Sequence, residues 1–220
     1  MSTEPQHSPS QAVAHQFGDA AQQREAATLG MWVFLATEVL FFGAMFCGYT
    51  VYRTSFPTAF AEASRHTLVW FGATNTAVLL LSSFVVVITV RASDEGNRQM
   101  ASRYALITAG LGALFLLFKA FEYATEIKEG LFPNAAFHLD GSPAPQGRLF
   151  FYIYFVMTGI HGLHVLIGIV LLSIFAWRLR PRGSAPPNAT AVELLGLYWH
   201  FVDIVWVFLF PLLYLVGRHG

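Results

Sequence analysis

Residues 197–216 read Leu-Tyr-Trp-His-Phe-Val-Asp-Ile-Val-Trp-Val-Phe-Leu-Phe-Pro-Leu-Leu-Tyr-Leu-Val. The run has the length and apolarity of a membrane-spanning helix, yet His200 and Asp203 lie one turn apart in it and project from the same face. A charged side chain at the centre of a bilayer costs roughly 2.5–3.5 kcal/mol on insertion scales, so such residues turn toward protein or water and mark a function or a specific helix contact. What His200 and Asp203 face therefore decides what this segment is for.

The remainder of the chain has the same solvent. Of its residues 55% are hydrophobic, 12% are charged and 21 are Phe, which is too apolar for a water-soluble domain and fits a polytopic membrane protein. Net charge is zero and no basic block stands out, so nucleic acid is excluded as a partner. The single cysteine, Cys47, rules out an intrachain disulfide or a Cys-rich metal site, and its apolar neighbours predict a small buried core residue. Residues 1–28 are polar, with Arg24 their only Lys or Arg, and match neither a secretory signal nor an Arg-rich transit peptide. They predict a mobile tail, and they favour a bacterial inner membrane over an imported organelle protein.

Five apolar runs follow, near 30–52, 67–90, 103–127, 149–173 and 195–217. Each is long enough to cross a hydrocarbon core of roughly 30 Å at about 1.5 Å per helical residue. Between them lie Pro57, the polar stretch Ser93 to Arg98, a Pro- and Gly-rich segment at 130–147, and Pro181 to Pro187, with no room for a soluble domain. The predicted fold class is an all-α membrane protein of five transmembrane helices. An odd number of spans puts the termini on opposite sides. Seven basic residues (Arg24, Arg91, Arg98, Arg103, Arg178, Arg180 and Arg182) fall on the N-terminal side and five (Arg53, Arg65, Lys128, Arg148 and Arg218) on the other. The positive-inside rule then places the N-terminus in the cytoplasm and the C-terminus in the periplasm.

Each span carries polar residues. Glu38 sits among aromatics, where desolvation penalises a carboxylate, so it either exchanges a proton or hydrogen-bonds a neighbouring helix. Asn75, Thr76, Ser82 and Ser83 suit close helix packing with bonds across the contact. At the outer end of the third run Lys119 and Glu126 read as a solvated helix end, Lys119 snorkelling or pairing with Glu122 or Tyr123, whereas Glu122 fits that reading poorly. In the fourth run His161, His164 and Gly168 share one face, with Gly159 and Gly162 beside them. Two readings are open: buried, hydrogen-bonded histidines, or a metal held by His-x-x-His and His-x-x-Asp converging with Glu38. The spans lack the Glu-x-x-His repeat of di-iron bundles, and three histidines are too few for paired haem ligands plus a copper site.

Several of these residues stand in ordered motifs: Gly30-Met-Trp-Val-Phe-Leu-Ala-Thr-Glu38 with Phe41-Phe42, Asn75-Thr76 with Ser82-Ser83, Glu122-Tyr123, Thr158-Gly-Ile-His-Gly-Leu-His164, and Glu193 before Tyr198-Trp-His-Phe-Val-Asp-Ile-Val-Trp206. Over roughly residues 29–217 they resemble the signatures of subunit III of the haem-copper oxidases, in its five-helix bacterial form. The polar N-terminal tail and the Pro-Gly-rich segment depart from the familiar pattern. The resemblance implies a subunit that binds no cofactor itself and packs beside catalytic subunit I, with subunit II, in an aerobic respiratory complex that can join a larger supercomplex. Haem and copper lie in those partners, which reduce oxygen to water and pump protons. It further implies a V-shaped cleft holding structural phospholipid, with Trp32, Phe41, Phe42, Trp199 and Trp206 as candidate lining. The carboxylate matching Glu38 would face the proton-uptake side, and Asn75, Glu122, His161, His164, Glu193, His200 and Asp203 would be intramembrane polar contacts, Glu193 at the cytoplasmic end of the last helix. Cytochrome c oxidase, quinol oxidase and nitric-oxide-reductase-associated branches share this skeleton. Two other classes are a transporter, which would need internal repeats or broken helices that the sequence lacks, and an intramembrane metalloenzyme using the His/Asp/Glu cluster.

Overall fold

The computed structural model describes residues 15–134, 137, 144–179 and 189–218, and among them every regular element is a helix. Helix α1 spans Ala20–Ser55, α2 Pro57–Arg65, α3 Val69–Asp94, α4 Arg98–Lys128, α5 Ala144–Arg178 and α6 Ala189–Phe210. All but α2 are long and apolar enough to cross a membrane.

The helices outrun the apolar runs because good helix formers continue them. Asp19 caps α1 by accepting from the Gln22 amide at 2.7 Å, and Ala20 to Ala27, rich in Ala, Gln and Glu, propagate the helix into the apolar stretch. Residues 20–28 are thus the first turns of α1 rather than part of a tail; residues 1–14 lie outside the described residues. Asn97 caps α4 in the same way, through the Met100 amide at 3.1 Å. Gly96 and Gly130, with φ of 74° and 77°, turn the chain after α3 and α4 in a conformation that favours glycine.

Helix α2 was not foreshadowed by Pro57, which reads as a breaker. At the first turn of a helix, however, the missing proline N–H is no loss. Ala59, Phe60 and Ala63 then bury one face, and the helix grips the other end of the chain. Gly217 N–H donates to Ser64 Oγ at 2.8 Å, and Arg65 Nε donates to Gly217 O at 2.8 Å. A Cβ on Gly217 would lie 2.0 Å from the Ala61 carbonyl oxygen, so only glycine allows this approach.

Helices α3 to α6 close into a bundle in which α3 packs on α4 and α6, and α5 on α4 and α6. Trp199 of α6 is its wedge. The indole fits against Gly112 of α4 and Gly168 of α5, and its Nε1 donates to Ser82 Oγ of α3 at 3.0 Å. Small residues at such points let helices approach closely in lipid. Trp206, about two turns on, donates to Thr76 Oγ1 at 3.0 Å. Both indoles are at most 1% exposed, as is Phe42, so these three residues pack the interior and do not line an open cleft; Trp32 and Phe41 do face outward.

Helix α1 stands apart. It touches chiefly α6, and its only buried residues are Leu35, Phe42 and Tyr49, a single stripe of seven-residue spacing. Cys47 lies off that stripe and is exposed, contrary to the expectation of a buried residue.

At its far end α6 meets Pro211, which has no N–H to continue the helical ladder. The backbone widens into a π-helical turn over Pro211–Leu215, followed by a 3₁₀ turn over Val216–Arg218.

Candidate functional site

Because α1 leans chiefly on α6, a groove of about 720 Å³ opens between α1 and the α5–α6 pair. Met31, Phe34, Ile167, Leu171 and Leu195 give it apolar walls; among the described residues Glu38, His164, Arg178 and Tyr198 are its charged or titratable lining. Glu38 Oε2 stands 3.2 Å from His164 Nε2. The two atoms are close enough for an ion pair, yet the alignment does not meet that of a hydrogen bond, and Oε2 has no other partner. His164 is held from both sides: its Nδ1 donates to Ile160 O at 2.8 Å, and its own carbonyl accepts from Tyr198 Oη at 3.0 Å. Two clasps fix α1 across the groove. Arg24 of α1 contacts both carboxylate oxygens of Glu193 of α6 at 3.2 Å, and Tyr49 Oη donates to the Leu212 carbonyl. The Arg24 pair is largely exposed, so it orients the helix ends more than it stabilises them.

His200 and Asp203 face α3. Ser83 Oγ is 2.7 Å from His200 Nδ1, and Asp203, 5% exposed, lies beside both side chains with Oδ1 unpartnered. Asn75, fully buried on α3, has no partner for its amide, and neither ring nitrogen of His161 has one. His161 stacks on Trp206 at 5.2 Å with the Phe115 ring edge-on at 5.5 Å. The candidate metal ligands are therefore split three ways: Glu38 with His164 at the groove, His161 inside the bundle, and His200 with Asp203 against α3. Among the described residues no three His, Cys, Asp or Glu gather to hold an ion.

The residues expected at a solvated helix end are buried. Lys119 is 5% exposed and Glu126 1%. Lys119 Nζ donates to Glu122 Oε2 at 3.0 Å, Tyr154 Oη at 2.9 Å and Tyr214 Oη at 2.8 Å, which uses all three of its donors. Both tyrosines in turn donate to Glu122 Oε1, at 2.9 and 2.7 Å. The rings of Tyr123 and Trp206 stand 5.0 and 5.5 Å from the ammonium. Glu126 receives no donor at either oxygen. Sequence reading missed Tyr154 and Tyr214; the one available signal was Pro211, whose widened turn carries Tyr214 over the end of α4.

A family model described as cytochrome c oxidase subunit III matches residues 14–218. The chain belongs to that family. Among its relatives, cytochrome c oxidase subunit 3 of Thermostichus vulcanus is 34% identical over 210 residues, covering 95% of this chain and 96% of the relative. Quinol oxidase subunit 3 of Bacillus subtilis is 31% identical over 87% of this chain and 88% of its own length. Cytochrome bo(3) ubiquinol oxidase subunit 3 of Pseudomonas putida is 29% identical over 88% and 87%. Its role is that of subunit III of a haem-copper oxidase, within a multi-subunit membrane complex, and the metalloenzyme reading is not favoured.

Proposed function

We propose that this chain is the non-redox subunit III of a cytochrome c type oxidase in a bacterial inner membrane, that it holds phospholipid beside α1, and that Glu38 exchanges a proton there in support of proton uptake by catalytic subunit I. The observation that carries this reading is the position of Glu38. Its carboxyl stands at the edge of an apolar groove outside the bundle, next to His164, shielded from bulk water yet reachable from the groove. The groove suits acyl chains by its lining, and Arg178 suits an anionic headgroup. Haem and copper belong to the catalytic partners, subunits I and II. In support, two of the three intramembrane histidines have polar partners, His200 with Ser83 and His164 with Ile160 and Glu38, and His161 is enclosed by the Trp206 and Phe115 rings. The cytochrome c assignment draws on the family description and on the Thermostichus relative, which aligns nearly end to end.

Orientation follows from the arginine bias. A reporter active only in the cytoplasm should work when fused before residue 20 and fail when fused after Gly220; the reverse pattern would overturn the topology. The proton role is tested by steady-state oxygen consumption against pH and time for the wild type, Glu38→Gln and a complex lacking the subunit. Glutamine keeps the shape and removes the titration. The expected outcome is intact haem spectra with an altered pH dependence of activity or faster inactivation during turnover. A glutamine variant that matches the wild type while deletion is harmful makes Glu38 structural, and a deletion that bleaches the haem signals overturns the non-redox role.

A further inference from the structure

The hydrogen bonds of His164 settle where its protons are. A carbonyl oxygen only accepts, so the 2.8 Å contact from Nδ1 to Ile160 O places a hydrogen on Nδ1. In a neutral imidazole the other nitrogen, Nε2, then carries only a lone pair. That atom stands 3.2 Å from Glu38 Oε2. With no proton between them, two lone pairs would face each other in an apolar groove, one of them on a carboxylate, and no other donor reaches Oε2 to relieve it.

We propose that Glu38 and His164 form a one-proton site, in which a single proton resides on either Oε2 or Nε2 and the pair, not Glu38 alone, fills and empties at the groove. The proton has two places. On Nε2 it makes an imidazolium facing a carboxylate; on Oε2 it makes a carboxylic acid facing a neutral imidazole. Passing between them breaks one N–H bond, forms one O–H bond and leaves the pair neutral both ways. Removing the proton to solvent leaves one net negative charge in the groove, and adding a second leaves one net positive charge. Of the three states only the singly protonated pair carries no net charge.

The neighbours leave this balance to the two residues. From α6, Tyr198 directs its hydroxyl to the His164 carbonyl, although its ring lies near enough to feel Glu38. From α5, His161 sits one turn away inside the bundle, stacked on Trp206, with Lys119 of α4 beyond it. Arg178, the only Lys or Arg lining the groove among the described residues, is fourteen residues along α5 from His164, about 21 Å at 1.5 Å per residue. The Ile160 carbonyl and the Phe42 ring, 5.3 Å from the imidazole centroid, fix the orientation of His164.

The pair itself stands on this geometry, and only its use in turnover rests on the proposed function of Glu38. The test is pH-difference infrared spectroscopy of the assembled oxidase complex containing ring-labelled histidine, for wild type, Glu38→Gln and His164→Gln. In the wild type, uptake of one proton should alter a carboxyl band and an imidazole band together at one pH, with the fractions of protonated carboxyl and of imidazolium summing to one. Glu38→Gln should remove the first and displace the second in pH; His164→Gln should do the converse, by an equal displacement, as linkage requires. A Glu38 signal that responds alike with and without His164 overturns the proposal. So does a wild-type spectrum in which no histidine band accompanies any carboxyl band, a result that needs neither variant to assemble. Coupled bands together with wild-type oxygen consumption by Glu38→Gln would leave the pair standing and remove its part in turnover. Altered consumption with uncoupled bands would remove the pair alone.

Discussion

Replacing Gly168 by alanine should loosen the bundle at the Trp199 wedge. The new Cβ would lie 2.7 and 2.8 Å from Trp199 Cζ3 and Cε3, against an ordinary carbon–carbon contact of about 3.5–4.0 Å, so the indole must retreat by roughly 1 Å. Retreat is opposed on the far side, where a Cβ on Gly112 would lie 2.6 Å from Cη2, and by the 3.0 Å bond from Nε1 to Ser82. Overpacking of this kind costs about 1–3 kcal/mol, and a weakened hydrogen bond adds about 0.5–1.5 kcal/mol. Alanine returns up to about 1 kcal/mol through its better helix propensity. The net expectation is a loss of about 1–3 kcal/mol. Gly110→Ala, with nothing within 4 Å of its Cβ, is the matched control and should be neutral or slightly stabilising. The assay is thermal retention of the subunit in detergent-solubilised complex for both single variants and for Gly168→Ala with Trp199→Phe, which lacks the outer indole carbons. The double variant should lose less than the sum of its parts. Equal stability of Gly168→Ala and Gly110→Ala would refute the wedge.

Three other outcomes follow from the contacts described. Lys119→Met leaves the Glu122 carboxylate buried without its cation, at a cost of about 3–5 kcal/mol, and should deplete the subunit from the complex on blue-native gels, whereas Lys119→Met with Glu122→Gln should be retained better. Asp203→Leu should lower the melting temperature modestly, since a lost buried bond costs about 1–3 kcal/mol in soluble proteins and membrane cycles average nearer 0.6; an unchanged value would mean that Asp203 does not bridge α6 to α3. Gly217→Ala cannot keep the 2.0 Å approach to Ala61, so it should free the chain end from α2 and speed its digestion by carboxypeptidase, and unaltered digestion would speak against that clasp.

The spans were legible because hydrophobicity over twenty residues is a strong, local property. Their ends were not. Ala20 to Ala27 are polar in aggregate yet helical, and Pro57 opens a helix as readily as it breaks one. The polar residues inside the spans announced themselves as costly in lipid, but cost does not name a partner. Glu38 meets His164, and Lys119 meets Tyr214, only after α1 and the end of α6 have packed, and tyrosine in an apolar run carries no sign that its hydroxyl is needed. The family resemblance implied Trp199 and Trp206 as lining of a lipid cleft. The glycines opposite Trp199 and the hydroxyls of Ser82 and Thr76 draw both indoles inward instead.

The π-helical turn at Pro211 has a consequence for how this chain tolerates change. A regular helix advances about 100° per residue, so a turn that closes one residue late resets the azimuth of everything beyond it. Tyr214 reaches the Lys119 ammonium, and Gly217 reaches α2, from that reset direction. The register of the last turns, and through it one of the three hydrogen bonds to the buried Lys119 ammonium, is thus governed by a residue with no polar side chain at all. A substitution at Pro211 that restored a straight helix would rotate Tyr214 away from Lys119 without altering a single hydrogen-bonding side chain.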